Sequence, residues 1–267
     1  MNYIDVAPAY GSTVSETVLG KALKGIARDR YFLSTKVGKY TDPDQYGKDT
    51  LDYSRERIRR SIDESDARLG TDYFDIIHIH NIEYQDRRHA EWALKEGFES
   101  MVELKREGRI GAVSFGIYPI DLWHRTLETL TVDAGLVNNH YCLHDTRLLE
   151  LLPIAQRKGI GLINASPFGS ALLTDRGPAD WHPTTAEQPA LFKRSTGFCR
   201  GQGTNISKLA LQFSSQHREI ATTMFSSPKP DTVKRNIEWS QEPYDPALLK
   251  ETQKILEPVT NLDWPYS

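Results

Sequence analysis

The chain has 267 residues, with 33 basic and 36 acidic side chains and a formal net charge of −3. That length fits one α/β-barrel domain of roughly 250 residues, and the near balance of charge excludes the basic surface that nucleic acid or an anionic membrane requires. Two cysteines, Cys142 and Cys199, form neither a CxxC pair nor a disulfide framework, no apolar run approaches the ~18 residues of a membrane span, and no signal-peptide pattern precedes the first strand. A cytoplasmic protein is expected, with no nucleic-acid or membrane partner, as a monomer or weak homo-oligomer.

In chain order, residues 3–6 (YIDV) read as a short buried strand, and Pro8, with no N–H to donate, ends its ladder. Gly11 opens a turn, and Ser12 to Ser15 offer caps for a helix carrying Val18, Leu19, Ala22, Leu23 and Ile26. Residues 31–38 form a second apolar run, followed by a polar loop over 38–49. Residues 51–69 read as an amphipathic helix with Leu51, Ile58, Ile62 and Leu69 inward. A third strand covers 75–80, a long helix 90–106, and a fourth strand 111–116. A helix follows Tyr118-Pro119, then come a strand over 134–139, a helix over 148–155 and a strand over 159–165. An irregular stretch over 177–189 precedes a helix near 206–216, a last strand over 221–225, and helices from 231 and over 246–256.

Alternating strands and helices imply a parallel sheet with right-handed crossovers. Seven strands are counted, whereas a closed (β/α)8 TIM barrel has eight. The expected architecture is one barrel domain over 1–267, short of its first β-strand/α-helix unit, which would precede Met1.

Several chemistry-bearing residues fall near strand ends. Asp5 closes the first strand, Tyr10 lies in the loop after it, Lys36 sits late in the second strand and His80 ends the third. A lysine embedded in a strand needs an anionic partner, and Asp5 is the nearest candidate. A phenol has a reference pKa of ~10, and a nearby ammonium favours its phenolate. His78 shares a strand face with His80, which is also a zinc-ligand spacing, but it reads as a polar barrel-interior residue and no metal is expected. No G-x-G-x-x-G follows a strand and no P-loop occurs.

The stretches DVAPAYG (5–11), LSTKVG (33–38) and FDIIHIH (74–80) resemble the aldo-keto reductase superfamily. The resemblance implies a catalytic tetrad of Asp5, Tyr10, Lys36 and His80, with Tyr10 passing the proton while hydride passes to or from a nicotinamide. It assigns Asn138 to the nicotinamide amide, Ser166, Phe168 and Gly169 to the pyrophosphate, and Ser226, Ser227 and Asn236 to the adenosine side. Three departures stand out: Gly116-Ile117 replaces the family's Ser-Asn pair, Ala165 replaces a stacking tyrosine, and Ser226 and Thr232 replace cations that grip an NADP 2′-phosphate. The cofactor implied is NAD, with NADP possible through Lys229, Lys234 or Arg235.

Residues 166–183 (SPFGSALLTDRGPADWHP) are similar to the aldose 1-dehydrogenase branch, which includes the L-galactose and D-threo-aldose enzymes. That branch oxidises an aldose at C1 to its lactone. Tyr40, Asn81, Tyr118, Trp181 and His182 are the polar groups that would suit a sugar. Two alternatives stay open: a general aldehyde or ketone reductase, and a non-catalytic nucleotide-binding relative.

Overall fold

Runs rich in β-branched and aromatic residues cannot stand alone in water, and here they pair edge to edge. The computed structural model describes residues 2–41, 50–178, 182–185 and 187–264. The chain divides into two compact units, Met1–Leu136 with Lys158–Ile160, and Val137–Arg157 with Gly161–Tyr266.

The first unit contains β1 (Tyr3–Asp5), α1 (Val14–Leu23), β2 (Phe32–Val37), β3 (Lys39–Tyr40), β4 (Thr50–Leu51), α2 (Arg55–Leu69) and β5 (Phe74–His80). A helical stretch follows, made of α3 (Ala90–Trp92), a π-helical turn (Ala93–Gly97) and α4 (Phe98–Arg106); then come β6 (Ile110–Ile117) and α5 (Ile120–Thr129). Strands β1, β2, β5 and β6 lie parallel in that order. Their register pairs Asp5 with Ser34, Lys36 with His78, His78 with Ser114 and His80 with Gly116. Side chains alternate along a strand, so these residues share one face of the sheet.

The opposite face buries Leu33, Val37, Ile77, Ile79, Val113 and Phe115. Helix α2 covers part of it with Ile58, Ile62 and Leu69, each contributing about 1.5–3 kcal/mol of transfer free energy. Gly20 lets α1 approach α2 closely, since a Cβ there would lie 2.2 Å from the Arg68 carbonyl oxygen.

One helix boundary differs from the expectation. Helix α2 begins at Arg55 rather than 51, because Thr50–Leu51 pairs antiparallel with Lys39–Tyr40 and Ser54 caps the helix by accepting the Arg57 N–H. Its last residue, Leu69, is the one the pattern predicts, and Gly70, at φ 69°, follows as the left-handed C-cap.

Strand β7 (Ala134–Asn138) runs across the boundary into the second unit. That unit continues with α6 (Leu148–Lys158), β8 (Gly161–Ala165), α7 (Gln188–Gly201), α8 (Ile206–Ser215), β9 (Thr222–Met224), α9 (Pro230–Gln241) and α10 (Pro246–Leu256). Strands β8 and β9 are parallel. Helix α7 has no counterpart in the pattern read from the sequence, because Ser195, Thr196 and Gly197 weaken its local propensity. It forms because Phe192, Ser195, Thr196 and Cys199 make a buried stripe at helical spacing. Among the described residues no helix is long and apolar enough to cross a membrane.

Candidate active site

Asp5 ends β1, and Lys36 lies one pleat beyond the residue that pairs with it. The lysine therefore reaches back along the face: Nζ forms an ion pair with Asp5 Oδ2 and donates to the Val6 carbonyl at 3.0 Å. Lys36 is 2% exposed. Burial alone would strip its proton, but the Asp5 charge first, then the nearby Tyr10 and the hydrogen bond to Asp5, outweigh that, and its pKa stays above the usual lysine value. Removing either member of such a buried pair leaves a charge uncompensated, at about 3–5 kcal/mol.

Tyr10 is placed by a tight turn in which its N–H bonds the Ala7 carbonyl at 3.0 Å. It is 41% exposed, with the Lys36 ammonium 4.8 Å from its ring centroid. The His80 ring meets it edge-on at 6.2 Å. His80 is half-buried, and its Nδ1 is shut off from solvent with no partner among the described residues. Burial first, then the charges of Lys36 and Lys39, hold His80 far below the ordinary histidine pKa, so it is a neutral imidazole near pH 7. Its backbone carbonyl accepts the Tyr53 hydroxyl at 2.8 Å. Gly38 makes room for that tyrosine, since a Cβ there would lie 2.2 Å from the Tyr53 ring. The four tetrad residues are thus brought together in the first unit, with an exposed phenol between a buried cation and a neutral imidazole.

Behind Asp5 lies a chain of buried polar groups. Ser34 Oγ donates to Asp5 Oδ1 at 2.6 Å, Tyr3 OH lies 2.8 Å from Ser34 Oγ, and His78 Nε2 lies 3.1 Å from Tyr3 OH. His78 Nδ1 meets Ser114 Oγ at 2.8 Å, so both its ring nitrogens are engaged. Burial lowers the His78 pKa to about 3, and burial with the Asp5 charge pushes the Tyr3 phenol far up. No motif marks Tyr3, Ser34 or Ser114; their one sequence signal is the two-residue period that puts each on the face of a tetrad residue or of His78.

The residues assigned to the dinucleotide lie in the second unit. Asn138 ends β7, and its Oδ1 accepts the Ser166 hydroxyl at 2.7 Å, which fixes the amide's orientation. Ser166 has φ 65°, and Gly169, at φ 54°, packs so closely on His144 that a Cβ would lie 2.6 Å from the ring. Phe168 is half-buried. Ser226 is exposed, Ser227 accepts the Lys229 N–H at 3.2 Å, and Asn236 is buried on α9.

The sugar-binding candidates are less uniform. Tyr40 is buried, its hydroxyl accepting the Gly38 N–H at 3.0 Å and its ring lying 3.7 Å from the Arg57 guanidinium. Asn81 and Tyr118 converge on a residue that sequence reading missed. Glu83 Oε1 accepts from Asn81 Nδ2 at 3.3 Å and from the Tyr118 N–H at 3.2 Å, and burial raises its carboxyl to about 7. Its one sequence signal is an acid inside the short segment 81–84, directly after His80. His182 is buried against Trp264, at 4.9 Å between ring centroids, and Trp181 lies outside the described residues.

The sequence pattern of the aldo/keto reductase family matches residues 1–257. L-galactose dehydrogenase of Arabidopsis thaliana is 38% identical, over 99% of this chain and 83% of that protein. D-threo-aldose 1-dehydrogenase of a Pseudomonas species is 27% identical over 90% of this chain and 79% of its own length. The solved structure of an aldo-keto reductase from Bacillus halodurans in its holo form superposes with a TM-score of 0.76 at 25% identity, covering 100% of this chain and 85% of that one. The chain belongs to the aldo/keto reductase family, as an NAD(P)-dependent oxidoreductase of (β/α)8 fold.

Proposed function

We propose that the protein oxidises an aldose of the L-galactose or D-threo type at C1 to its lactone, with NAD as hydride acceptor and Tyr10 as general base. The observation that carries this reading is the Lys36 ammonium held by Asp5 and facing the exposed Tyr10 ring at 4.8 Å. The likeness to L-galactose dehydrogenase along almost the whole chain supports the choice of substrate.

The dinucleotide, when bound, accepts the hydride that leaves C1. The residues of the chain do the rest. Tyr10 takes the proton from O1 as the C1–O1 bond becomes a carbonyl. The Lys36 charge stabilises the phenol oxygen in its anionic form, and Asp5 keeps that ammonium in place. His80, neutral through burial, hydrogen-bonds O1 without competing for its proton.

The second unit's residues fit a nicotinamide dinucleotide. The Asn138 amide, held by Ser166, has no partner on Nδ2 among the described residues and suits a carboxamide oxygen. Ser226 and Ser227 before α9, and Asn236 on it, are uncharged polar groups that suit the adenosine side. Ser226 and Thr232 carry no charge for a 2′-phosphate, which favours NAD.

The test is purified protein with NAD+ and a panel of aldoses and simple aldehydes, followed by nicotinamide absorbance and lactone analysis. Lactone formation from an aldose is expected. Turnover of simple carbonyls alone would make the protein a general reductase, and no turnover of either class would sink the catalytic reading.

A further inference from the structure

The chain behind Asp5 contains more information than its distances. Ionised Asp5 can only accept, so the single Ser34 proton goes to Oδ1, at 2.6 Å. The contact between Ser34 Oγ and Tyr3 OH, at 2.8 Å, must then be donated by Tyr3. Tyr3 has no second proton, so its 3.1 Å contact with His78 Nε2 must be donated by the imidazole. A neutral imidazole has one N–H, which leaves Nδ1 as an acceptor for the Ser114 hydroxyl at 2.8 Å, the nearer of the two acceptors that hydroxyl faces, the other being the Phe115 carbonyl at 3.2 Å. The 3.5 Å approach of His78 Nε2 to Asp5 Oδ1 agrees, because an N–H faces the anion.

We propose that Ser114, His78, Tyr3 and Ser34 form a one-directional donor chain ending on Asp5 Oδ1, and that Tyr3 and Ser34 are positioning residues that leave only Oδ2 to Lys36. With Oδ1 occupied, Asp5 neutralises Lys36 through one oxygen, and more of the ammonium's field reaches Tyr10. Loss of Ser34 would release Oδ1 to Lys36 and weaken that field. The His78 pKa of about 3 keeps the imidazole neutral, as the count of protons requires.

This inference rests on the role proposed for Tyr10, but its first test does not. Among the described residues, the titratable groups next to Tyr10 are Tyr3 on β1, Lys36 on β2 with its partner Asp5, and His80 on β5, the last in turn facing Lys39 on β3 and His78 on β5. Nitrogen-15 NMR of histidine-labelled parent protein is expected to show His78 as the Nε2–H tautomer at pH 7, independent of any activity. In Ser34→Ala the acidic limb of the kcat/KM profile should move up by about half a unit to one unit. Tyr3→Phe, one link further back, should move it less, and Ser34→Thr, which restores the hydroxyl, should return it towards the parent. An Nδ1–H tautomer would overturn the chain's direction, whatever Tyr10 does. An equal loss of activity in Ser34→Ala at every pH, or an unmoved limb, would reduce Ser34 to packing. An active Tyr10→Phe, by contrast, would sink the catalytic reading and leave the tautomer result standing.

Discussion

Strand β2 supports two buried carboxylates, one on each face, and they have different fates. On the helix side, Thr35 donates to Glu16 Oε1 at 2.6 Å; Ser65 joins at 3.0 Å, and Arg68 Nε donates to Oε2 at 2.6 Å. On the other side, Ser34 donates to Asp5 Oδ1 and Lys36 pairs with Oδ2. Both carboxylates gain a hydroxyl donor and a cation. Around Glu16 the guanidinium is engaged by Glu16 and by Ser65, and among the described residues the carboxylate's side-chain partners are Thr35, Ser65 and Arg68. Around Asp5 the cation is a compact ammonium, and it also faces Tyr10, 4.8 Å from the ring centroid of a residue that is 41% exposed. A buried ion pair becomes a reactive centre when its cation also faces an accessible acid–base group. Without that, it is structure.

The largest expected effect separates the two faces. Tyr10→Phe keeps the ring and removes the oxygen, so kcat should fall by at least ~10²–10⁴-fold while dinucleotide binding persists. Fluorescence titration with NAD+ beside steady-state turnover reads both; activity within a few-fold of the parent would place the chemistry elsewhere. The next pair of variants sharpens the contrast. Arg68→Met leaves Glu16 buried and unpaired, and should lower stability by about 3–5 kcal/mol in urea unfolding, with an unchanged pH profile for the protein that remains folded. Lys36→Met should cost a similar amount of stability and also shift the profile of surviving activity to alkaline pH. If Arg68→Met moved the profile too, the two faces would not be separable.

A smaller effect follows from His78. Its folded pKa of about 3 lies below the ~6.5 of an unfolded histidine, so between those values the unfolded chain binds a proton that the folded one refuses. Its contribution to stability is complete above pH 6.5 and is lost as pH falls through that window. From pH 7 to pH 5 the expected loss is about 2 kcal/mol, and His78→Gln should make the slope shallower by that amount. An identical slope in the variant would show that His78 is not buried neutral. The smallest effect concerns the cofactor. Ser226 and Thr232 offer no bidentate partner for a 2′-phosphate, so kcat/KM should favour NAD+ over NADP+ by tenfold or more, about 1.4 kcal/mol. A ratio favouring NADP+ would assign the phosphate to Lys229, Lys234 or Arg235.

The sequence by itself determined the alternation of strands and helices, the placement of Asp5, Lys36 and His80 on strands and Tyr10 in a loop, and the need of a strand-borne lysine for an anionic partner. Those are local matters: period, turn residues and the cost of burying a lone charge act within a few residues, whereas register seats Asp5 as that partner from 31 positions away. Only the tertiary structure decided the rest. Thr50–Leu51 became a strand because Lys39–Tyr40 offered it a ladder, and α7 formed because its buried stripe outweighed weak propensity. Tyr3, Ser34 and Ser114 carry no motif, His78 reads only as a polar interior residue, and Glu83 is one acid in a loop. They acquire roles through register, which brings residues 29 to 75 positions apart within hydrogen-bond reach. Register is set by the packing of both sheet faces at once, and a one-residue slip would turn every one of these groups to the opposite side.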